Sequence, residues 1–471
     1  NRYGLIGYAA AVSDQNLVSP RFRMITGLNN FQWIHRCFVK EKIARKNTDK
    51  LSDFSPFSTT FTPRKRNILF AMKRNILSLF LLLMLWVSAT GTISAQQRNK
   101  RVVLGNERMD SICTRLKDKR VALAVNHTSI LGTGFTHLLD TLLAQKIDIR
   151  KVFAPEHGFR GTADAGATVH DSRDPKTGVP IVSVYGKNKK PSAEQLADVD
   201  VVVFDIQDVG ARFFTYISTM HYLMEACAEH GKELMVLDRP NPNDYVDGPV
   251  RQPGFESFVG VHPIPVLHGL TVGELAQMIN GEGWLPSAAT CKLTVIKMLN
   301  WQHGDAYQPT VRPSPNLPND QAVRLYPSLC FFEGTCMSVG RGTHFPFQIV
   351  GYTLPQTGSF TFVPAAIPGM DTAPLYKDKT CYGDDLRYYP FAGGLTLSFV
   401  IDFFARTGRN EKLFFNRPRW FDLLAGTDAL RKQILDGVPE AEIRATWQSG
   451  LDEYKQIRKK YLLYPDYPEA E

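Results

Sequence analysis

The sequence predicts an α/β fold, in which a parallel sheet is covered by helices and a second, smaller α+β subdomain lies beside it. Between residues 101 and about 300, short β-branched runs alternate with helical stretches, which is the pattern of βαβ units. Four of the apolar runs end in polar clusters, and open parallel sheets bind ligands beyond the carboxyl ends of their strands. These observations indicate an enzyme with one crevice.

The elements follow from local patterns. In the first part we predict strands over 121–125, 149–154, 181–185, 201–204, 234–237 and 293–298, and helices over 138–145 and 221–230. A capping box at Thr271 and Glu274 predicts a further helix over 275–279. In the second part we predict strands over 348–354 and 359–363, and helices over 395–405 and 441–461.

Two boundaries are expected, one within the folded part of the chain and one upstream of it. The proline-rich stretch 312–318 ends the alternation of strands and helices, so we expect a larger subdomain over 100–304 and a smaller one over 305–471 that closes one side of the crevice. Residues 1–71 show no sustained apolar period and are expected to be an upstream extension. No internal repeat is visible.

Residues 72–95 have the anatomy of a secretory signal peptide. Lys73 and Arg74 precede an apolar middle over 76–87 and a small-residue end, so we expect cleavage after Ala95. That middle is much shorter than the roughly twenty residues that span a bilayer, which argues against a membrane anchor. The mature protein is therefore expected to be exported, without a stable membrane span, and periplasmic in a cell that has an outer membrane.

The net charge of +9 belongs to the N-terminal part. Residues 1–95 contain 14 Lys and Arg against 4 Asp and Glu, which leaves 41 basic and 42 acidic residues in the remainder. A mature charge of −1 provides no electrostatic footprint for nucleic acid. Six of the seven cysteines remain after processing, and most are expected to be buried thiols; their pairing does not follow from the sequence.

The segment 154–161, APEHGFRG, carries the densest group of reactive side chains. Glu156 and His157 follow a strand directly, and Arg160 comes three residues later. A carboxylate beside an imidazole suits proton transfer, because burial can raise the pKa of an acid towards the working pH. The structural alternative is that Glu156 only caps a neighbouring helix.

The segment 205–216, DIQDVGARFFTY, holds two acids and an arginine. If the strand continues to Gln207, alternation places Asp205 and Gln207 on one face. We expect either Asp205 or Asp208 to neutralise Arg212 and the other to meet a substrate hydroxyl or a proton. Further aromatic and polar candidates for substrate contact are Tyr216 at the end of this segment and, outside it, Tyr185, Asn126, His127, Asp238, Arg239 and Asn241. The two tyrosines could stack on a sugar ring or belong to the core.

A third segment, 329–343, supplies another acid. Its apolar lead predicts that Glu333 ends a strand, and glycines surround Arg341. Glycoside hydrolysis commonly uses two carboxylates, roughly 5 Å apart for retention and 6.5 to 9.5 Å apart for inversion. Glu156 could form such a pair with Glu333 or with Asp205.

Several other chemistries lack their signatures. The sequence has no GxGxxG after a strand, no Walker loop, no GxSxG elbow and no HExxH helix. His127, His157, Asp164 and His170 could in principle hold zinc, but their spacing is irregular. We therefore expect no metal and no cofactor.

Five ordered motifs resemble one family, and the similarity extends from about residue 100 to 471. They are APEHGFRG, DIQDVGARFFTY, VLDRPNP at 236–242, PSPNLP at 313–318 and LCFFEGTCMSVGRGT at 329–343. The family is that of the exo-β-N-acetylmuramidases of bacterial cell-wall recycling, formerly a domain of unknown function. The resemblance implies a Rossmann-like subdomain, a smaller subdomain beside it and an active site in the cleft between them.

The resemblance also implies a reaction, the removal of single N-acetylmuramic acid residues from the non-reducing ends of peptidoglycan glycan fragments. It places the family's catalytic glutamate at Glu156, which we assign as general acid, with Glu333 as the second carboxylate. His157, Asp205 and Asp208 are candidates for tuning and orientation. Whether the mechanism inverts, retains or uses the acetamido group of the substrate stays open.

The expected partners are saccharides from peptidoglycan that end in muramic acid, and they carry a lactyl carboxylate. A guanidinium binds a carboxylate through two hydrogen bonds, so the candidate arginines are Arg160, Arg212, Arg239 and Arg341. Two other hypotheses remain: a catalytically silent cell-wall-binding protein, and a metal-dependent peptidoglycan amidase or deacetylase. The oligomeric state does not follow from the sequence.

Overall fold

The computed structural model describes residues 101–132, 134–159 and 172–467. The predicted extension and signal peptide lie outside these residues, as do Arg160, Asp164 and His170. The strands are β1 (Arg120–Val125), β2 (Ile130–Leu131), β3 (Thr136–His137), β4 (Asp148–Ala154), β5 (Ser172–Arg173), β6 (Pro180–Ser183), β7 (Val201–Asp205), β8 (Glu233–Leu237), β9 (Val246–Asp247), β10 (Leu267–His268), β11 (Lys292–Ile296), β12 (Ile349–Tyr352), β13 (Phe360–Phe362) and β14 (Cys381–Asp385).

Helices cover the sheet and build most of the C-terminal part. They are α1 (Met109–Leu116), α2 (Leu138–Ala144), α3 (Ala193–Leu196), α4 (Tyr216–Glu229), α5 (Val272–Gly281), α6 (Asp320–Leu329), α7 (Ser398–Arg406), α8 (Glu411–Phe414), α9 (Pro418–Ala425), α10 (Ala429–Leu435), α11 (Glu440–Ala445) and α12 (Gln448–Lys459). Short 3₁₀ turns occupy Gly105–Glu107, Pro286–Ala288, Cys330–Gly334 and Pro355–Thr357. None of the helices in the described ranges combines the length and the apolar character needed to cross a bilayer.

The central sheet has seven strands in the order β11-β8-β7-β1-β4-β6-β5. All neighbouring pairs are parallel except β5 with β6. The six parallel strands have the Rossmann order. From β1 the chain adds β4 and β6 on one side, and it then adds β7, β8 and β11 on the other side, so the switch point of the fold lies between β1 and β7. Strands β7 and β8 are buried along their whole length, which explains their apolar runs 201–204 and 234–237. The predicted α/β class is confirmed.

Most predicted elements are confirmed with small shifts at their ends. The capping box forms as expected: the Thr271 hydroxyl accepts from the Glu274 amide at 3.2 Å, and the Glu274 carboxylate accepts from the Thr271 amide at 2.9 Å. The helix predicted to begin at residue 221 begins at Tyr216 instead. Its first turn is buried, so its apolar residues do not produce the amphipathic pattern that marks a helix on the surface.

Two predictions in the second part are wrong in detail, and one helix was not predicted. Glu333 does not end a strand; it lies in the 3₁₀ turn that continues α6, whose apolar residues pack into the core. The helix predicted over 441–461 is two helices, α11 and α12. Helix α6 was not predicted, because it contains Pro327 and follows a proline-rich stretch, and both are typical of loops.

The C-terminal part contains an antiparallel sheet in the order β12-β14-β13 and the helices from α6 onwards. One hydrophobic cluster joins both parts, because Phe204 of β7 belongs to the same core as Phe331, Phe403 and Phe421. The division at 304/305 therefore stays a prediction. The cysteines of the described ranges are free thiols, and only Cys113 among them is partly exposed.

A buried histidine ties the loop after β11 to the loop after β8 and to α5. His303 lies between the carboxylates of Asp244, at 3.0 Å, and Glu274, at 3.1 Å, and it is fully buried. Burial lowers the pKa of the imidazole, but its hydrogen bonds to Asp244 and Glu274 outweigh burial and raise the pKa from 6.5 to about 9. The folded protein therefore holds an imidazolium here.

We expect this imidazolium to make stability depend on pH. Because the folded pKa exceeds the unfolded one, the stabilisation is complete below about pH 6.5 and disappears as the pH rises through about 9. The shift corresponds to about 3 kcal/mol. Urea unfolding at pH 6 and pH 10 would measure it as a difference in unfolding free energy between the wild type and His303→Gln that shrinks at high pH. A difference that stays constant would contradict the prediction.

Candidate active site

Glu156 lies at the carboxyl end of β4, beside the switch-point strand β1. Pro155 ends the strand, and the Gly158 amide donates to the Pro155 carbonyl at 2.9 Å to close a tight turn. His157 has φ 66° and Gly158 has φ 74°, both in the left-handed region. That conformation is uncommon for a residue other than glycine, and strained backbone of this kind concentrates at functional sites.

Two hydroxyls from different loops hold the Glu156 carboxylate. The Tyr185 hydroxyl, which follows β6, donates to Oε1 at 2.9 Å, and the Thr215 hydroxyl, which precedes α4, donates to Oε2 at 2.8 Å. Burial and the nearby Glu156 charge raise the pKa of Tyr185, so its phenol keeps the proton. A hydroxyl can donate to a carboxylate or accept from a carboxylic acid, so this arrangement accommodates both protonation states of a general acid.

Glu156 opens into a cavity of about 570 Å³ between the sheet edge and the C-terminal part. A smaller cavity of about 60 Å³ shares Glu156 and Arg341 with it and adds His157, Tyr216, Ser314 and Asn316. The remaining lining residues of the larger cavity are Glu333, Met337, Ser338, Val339, Asp371, Ala373, Leu375, Asn416, Arg417 and Trp420. The structure thus brings together the acids of the first and third motifs.

Glu333 and Arg341 form an ion pair in the cavity wall. The guanidinium donates to Glu333 Oε1 through Nη2 at 2.6 Å and through Nε at 3.0 Å, and it stacks over the Phe347 ring. Burial lowers the pKa of Arg341, but the Glu333 charge outweighs it and keeps that pKa above its ordinary value. Glu333 Oε2 has no hydrogen-bond donor among the described residues. That oxygen is therefore available to a sugar hydroxyl or a water molecule.

His157 and Tyr216 line the smaller cavity. His157 Nε2 lies 3.2 Å from the Ser314 hydroxyl, so the proline-rich loop contacts the turn that carries Glu156. Tyr216 is 2% exposed, and burial followed by the Glu156 charge raises the pKa of its phenol. Asn126 is fully buried, and its Oδ1 accepts from the amide and the hydroxyl of Thr128. Its side chain shapes the loop after β1.

Asp205 lies in a separate, buried network at the switch point. Its Oδ1 accepts from Arg239 Nε at 2.6 Å and its Oδ2 from Asn106 at 3.1 Å. Arg239 and Gln207 line a different cavity of about 290 Å³, and neither Arg239 nor Asp205 lines the cavities at Glu156. Of the two acids that the sequence offered as partners of Glu156, Glu333 lines the same cavity and Asp205 does not; Asp371 lines that cavity as well.

The expectation that an acid neutralises Arg212 is wrong. The buried guanidinium donates to the backbone carbonyls of Pro249, Ile264 and Leu424 at 2.7 to 2.9 Å. Burial, and then the charge of Arg251, lower its pKa to about 9. Leu424 lies in the last turn of α9, where the helix dipole favours a cation. Arg212 therefore ties the loop after β7 to α9.

Three further candidates hold the loops at the carboxyl edge of the sheet. Gln207 Nε2 donates to the carbonyls of Asp208 and Pro240, and Asn241 Nδ2 donates to the Leu270 carbonyl. The Asp208 carboxylate accepts from the Gly210 amide at 2.6 Å, and burial raises its pKa to about 7. A Cβ at Gly210 would lie 1.9 Å from Asn241 Oδ1, so this position requires glycine.

Asp238 and His127 also have structural partners. Asp238 accepts from the hydroxyls of Thr271 and Tyr464, which joins the C-terminal segment to the start of α5. His127 Nε2 lies 2.9 Å from the Arg312 carbonyl oxygen, and burial lowers its pKa to about 4. Across the described ranges, no three His, Cys, Asp or Glu side chains are grouped so that they could hold a metal ion.

Sequence reasoning missed several residues around Glu156. Thr215, Ser314 and Asn316 lie inside motifs that were recognised, so their position in those motifs was an available signal. Asp371, Asn416, Arg417 and Trp420 lie in the C-terminal part without a motif of their own. Only the packing of that part against the sheet edge brings them to the cavity.

Comparison with protein families finds two adjacent matches. The family model described as exo-beta-N-acetylmuramidase NamZ, N-terminal, matches residues 121–321, and its C-terminal counterpart matches residues 324–464. Among curated proteins, the peptidoglycan beta-N-acetylmuramidase NamZ of Bacillus subtilis (strain 168) is 38% identical over 374 residues. That alignment covers 74% of this chain and 88% of the relative.

Two solved structures are similar to this one. A DUF1343 family protein from Bacteroides fragilis NCTC 9343 has a TM-score of 0.71 and 43% identity, over 78% of this chain and 100% of the other. A second DUF1343 family protein from the same strain has a TM-score of 0.67 and 31% identity, over 77% and 99% of the two chains.

Proposed function

This chain belongs to the exo-beta-N-acetylmuramidase NamZ family, and we propose that it is a glycoside hydrolase that removes N-acetylmuramic acid from the non-reducing ends of peptidoglycan glycan fragments. One observation of the structure carries the proposal. Glu156, held by two hydroxyls, lines the same cavity as a second carboxylate, Glu333, and that cavity is large enough for a sugar ring. Paired carboxylates are the usual catalytic groups of glycosidases.

Glu156 acts as the general acid in this proposal. The acid protonates the glycosidic oxygen as the bond to the anomeric carbon breaks, so the leaving sugar departs as a neutral alcohol. Its two hydroxyl partners fix its direction in either protonation state. The turn at His157 presents the carboxyl group at the sheet edge.

Glu333 is the second carboxylate in this proposal. The ion pair with Arg341 fixes one of its oxygens, which leaves the other to act on the developing charge at the anomeric carbon or on a water molecule. The acetamido group of the substrate is a further candidate for that role. The stereochemistry of the released sugar distinguishes inversion from the two retaining routes.

The location of the reaction is part of the proposal. A basic start, an apolar middle and a small-residue end over residues 72–95 support export, which places the enzyme in the periplasm of a cell that has an outer membrane. Cell fractionation together with N-terminal sequencing of the exported protein tests this. A mature N-terminus at Gln96 would agree with cleavage after Ala95.

The test of the activity is release of a chromophore from an aryl β-glycoside of N-acetylmuramic acid, with the N-acetylglucosamine analogue in parallel. We expect turnover of the muramic substrate and much slower turnover of the analogue, which lacks the lactyl group. Binding of the muramic glycoside without turnover would instead indicate a silent binding protein. Turnover that a chelator abolishes would indicate a metal-dependent enzyme.

A further inference from the structure

Arg417 differs from Arg341, Arg212 and Arg239 in that its side chain has no partner among the described residues. It is exposed and lines the cavity that holds Glu156 and Glu333. Within the described ranges, its guanidinium makes no hydrogen bond and no ion pair. Arg341, in contrast, gives two of its nitrogens to Glu333, and Arg212 and Arg239 are occupied elsewhere.

The backbone fixes Arg417 relative to Glu333. Arg417 immediately precedes α9, and its amide donates to the carbonyl of Gly334, the residue after Glu333. A Cβ at Gly334 would lie 2.6 Å from the backbone of Phe421, so the turn and the helix start are in close contact. Arg417 and the second carboxylate therefore belong to one packed wall of the cavity.

Because of the charges that line the cavity, an anionic substrate needs a guanidinium that is not already paired with a carboxylate of the protein. Its described lining contains three carboxylates, Glu156, Glu333 and Asp371, and two guanidiniums. Arg341 is used to neutralise Glu333, so a substrate carboxylate would otherwise meet a wall with a negative balance. Like charges at short range disfavour binding, whereas a guanidinium binds a carboxylate strongly through parallel N–H bonds.

We propose that Arg417 binds the lactyl carboxylate of N-acetylmuramic acid and so makes the enzyme specific for muramic acid over glucosamine. The inference rests on the proposed function, and it assigns this role to a residue that is not among the four arginines offered by the sequence, which were Arg160, Arg212, Arg239 and Arg341. Arg417 is a specificity residue, because it contacts a group of the substrate that does not react.

The test compares two substrates on the full chain: an aryl β-N-acetylmuraminide and the same glycoside with its lactyl group as a neutral amide. Wild-type enzyme is expected to prefer the acid. In Arg417→Gln, kcat/KM for the muraminide with the free carboxylate should fall about 10- to 100-fold, as expected for the loss of a charge-assisted pair. The kcat/KM for the amide substrate should change little. Arg417→Lys keeps the positive charge but cannot form two parallel N–H bonds, so its kcat/KM for the carboxylate substrate should lie between those of the wild type and Arg417→Gln.

Arg419→Gln is the matched control. Arg419 is also exposed, lies in the first turn of α9 just after Arg417, and contacts the Gly254 carbonyl and the Phe255 ring away from the cavity. The same loss of charge at Arg419 should leave the ratio of kcat/KM for the carboxylate substrate to kcat/KM for the amide substrate unchanged. An unchanged ratio in Arg417→Gln, or an equal loss on both substrates, would overturn the inference while the proposed function stands. Absence of wild-type turnover on either substrate would instead overturn the proposed function.

Discussion

Replacing Glu156 by glutamine is expected to lower kcat/KM for an aryl β-N-acetylmuraminide with a poor leaving group by about 100- to 10,000-fold. Glutamine has nearly the same size, and its oxygen can still accept from the Tyr185 or the Thr215 hydroxyl, so the site keeps its shape. The N–H protons of the amide are not acidic enough to be transferred, so the bond to the leaving oxygen must break without protonation. Steady-state release of the aryl alcohol measures the loss.

The leaving group shows whether the lost function is proton donation. A dinitrophenolate leaves readily without protonation, so Glu156→Gln should recover most of its activity on the dinitrophenyl substrate. An equal loss on both substrates would exclude Glu156 as the general acid. Asp371→Asn is the matched control, because it removes another carboxylate from the same cavity and is expected to show no dependence on the leaving group.

Removing the Asp205 carboxylate is expected to lower the free energy of unfolding by about 3–5 kcal/mol. Asp205 is fully buried, and Arg239, its ion-pair partner, is 4% exposed, so Asp205→Ala leaves a guanidinium charge in the interior without compensation. Urea unfolding at neutral pH measures the change. An exposed pair, Arg120 with Asp200, provides the control, since Asp200→Asn should cost at most about 1 kcal/mol.

The same variant tests the catalytic role that the sequence suggested for Asp205. If Asp205 acts only on the fold, the folded fraction of Asp205→Ala keeps a kcat close to that of the wild type. A large fall in kcat with unchanged stability would restore the catalytic hypothesis. The double variant Asp205→Ala, Arg239→Met should be more stable than Asp205→Ala, because no unpaired charge remains.

The sequence by itself determined the sheet, because the strands of a doubly wound fold are buried on both faces and appear as uninterrupted β-branched runs. It also determined that Glu156 lies at the carboxyl end of a strand, since the polar cluster follows the apolar run directly. The capping box at Thr271 is a further local signal, complete within four residues. Each of these features depends on neighbours in the chain.

Only the tertiary structure decided which polar residues meet. Asp205, Asp208, Arg212 and Glu333 all follow apolar stretches, yet Glu333 alone lines the cavity of Glu156. Arg212 bonds to carbonyls more than thirty residues away in the chain, and Arg417 reaches the cavity because α9 packs on the turn after Glu333. The partner of a buried charge is set by packing between distant segments, and a local pattern carries no information about that packing.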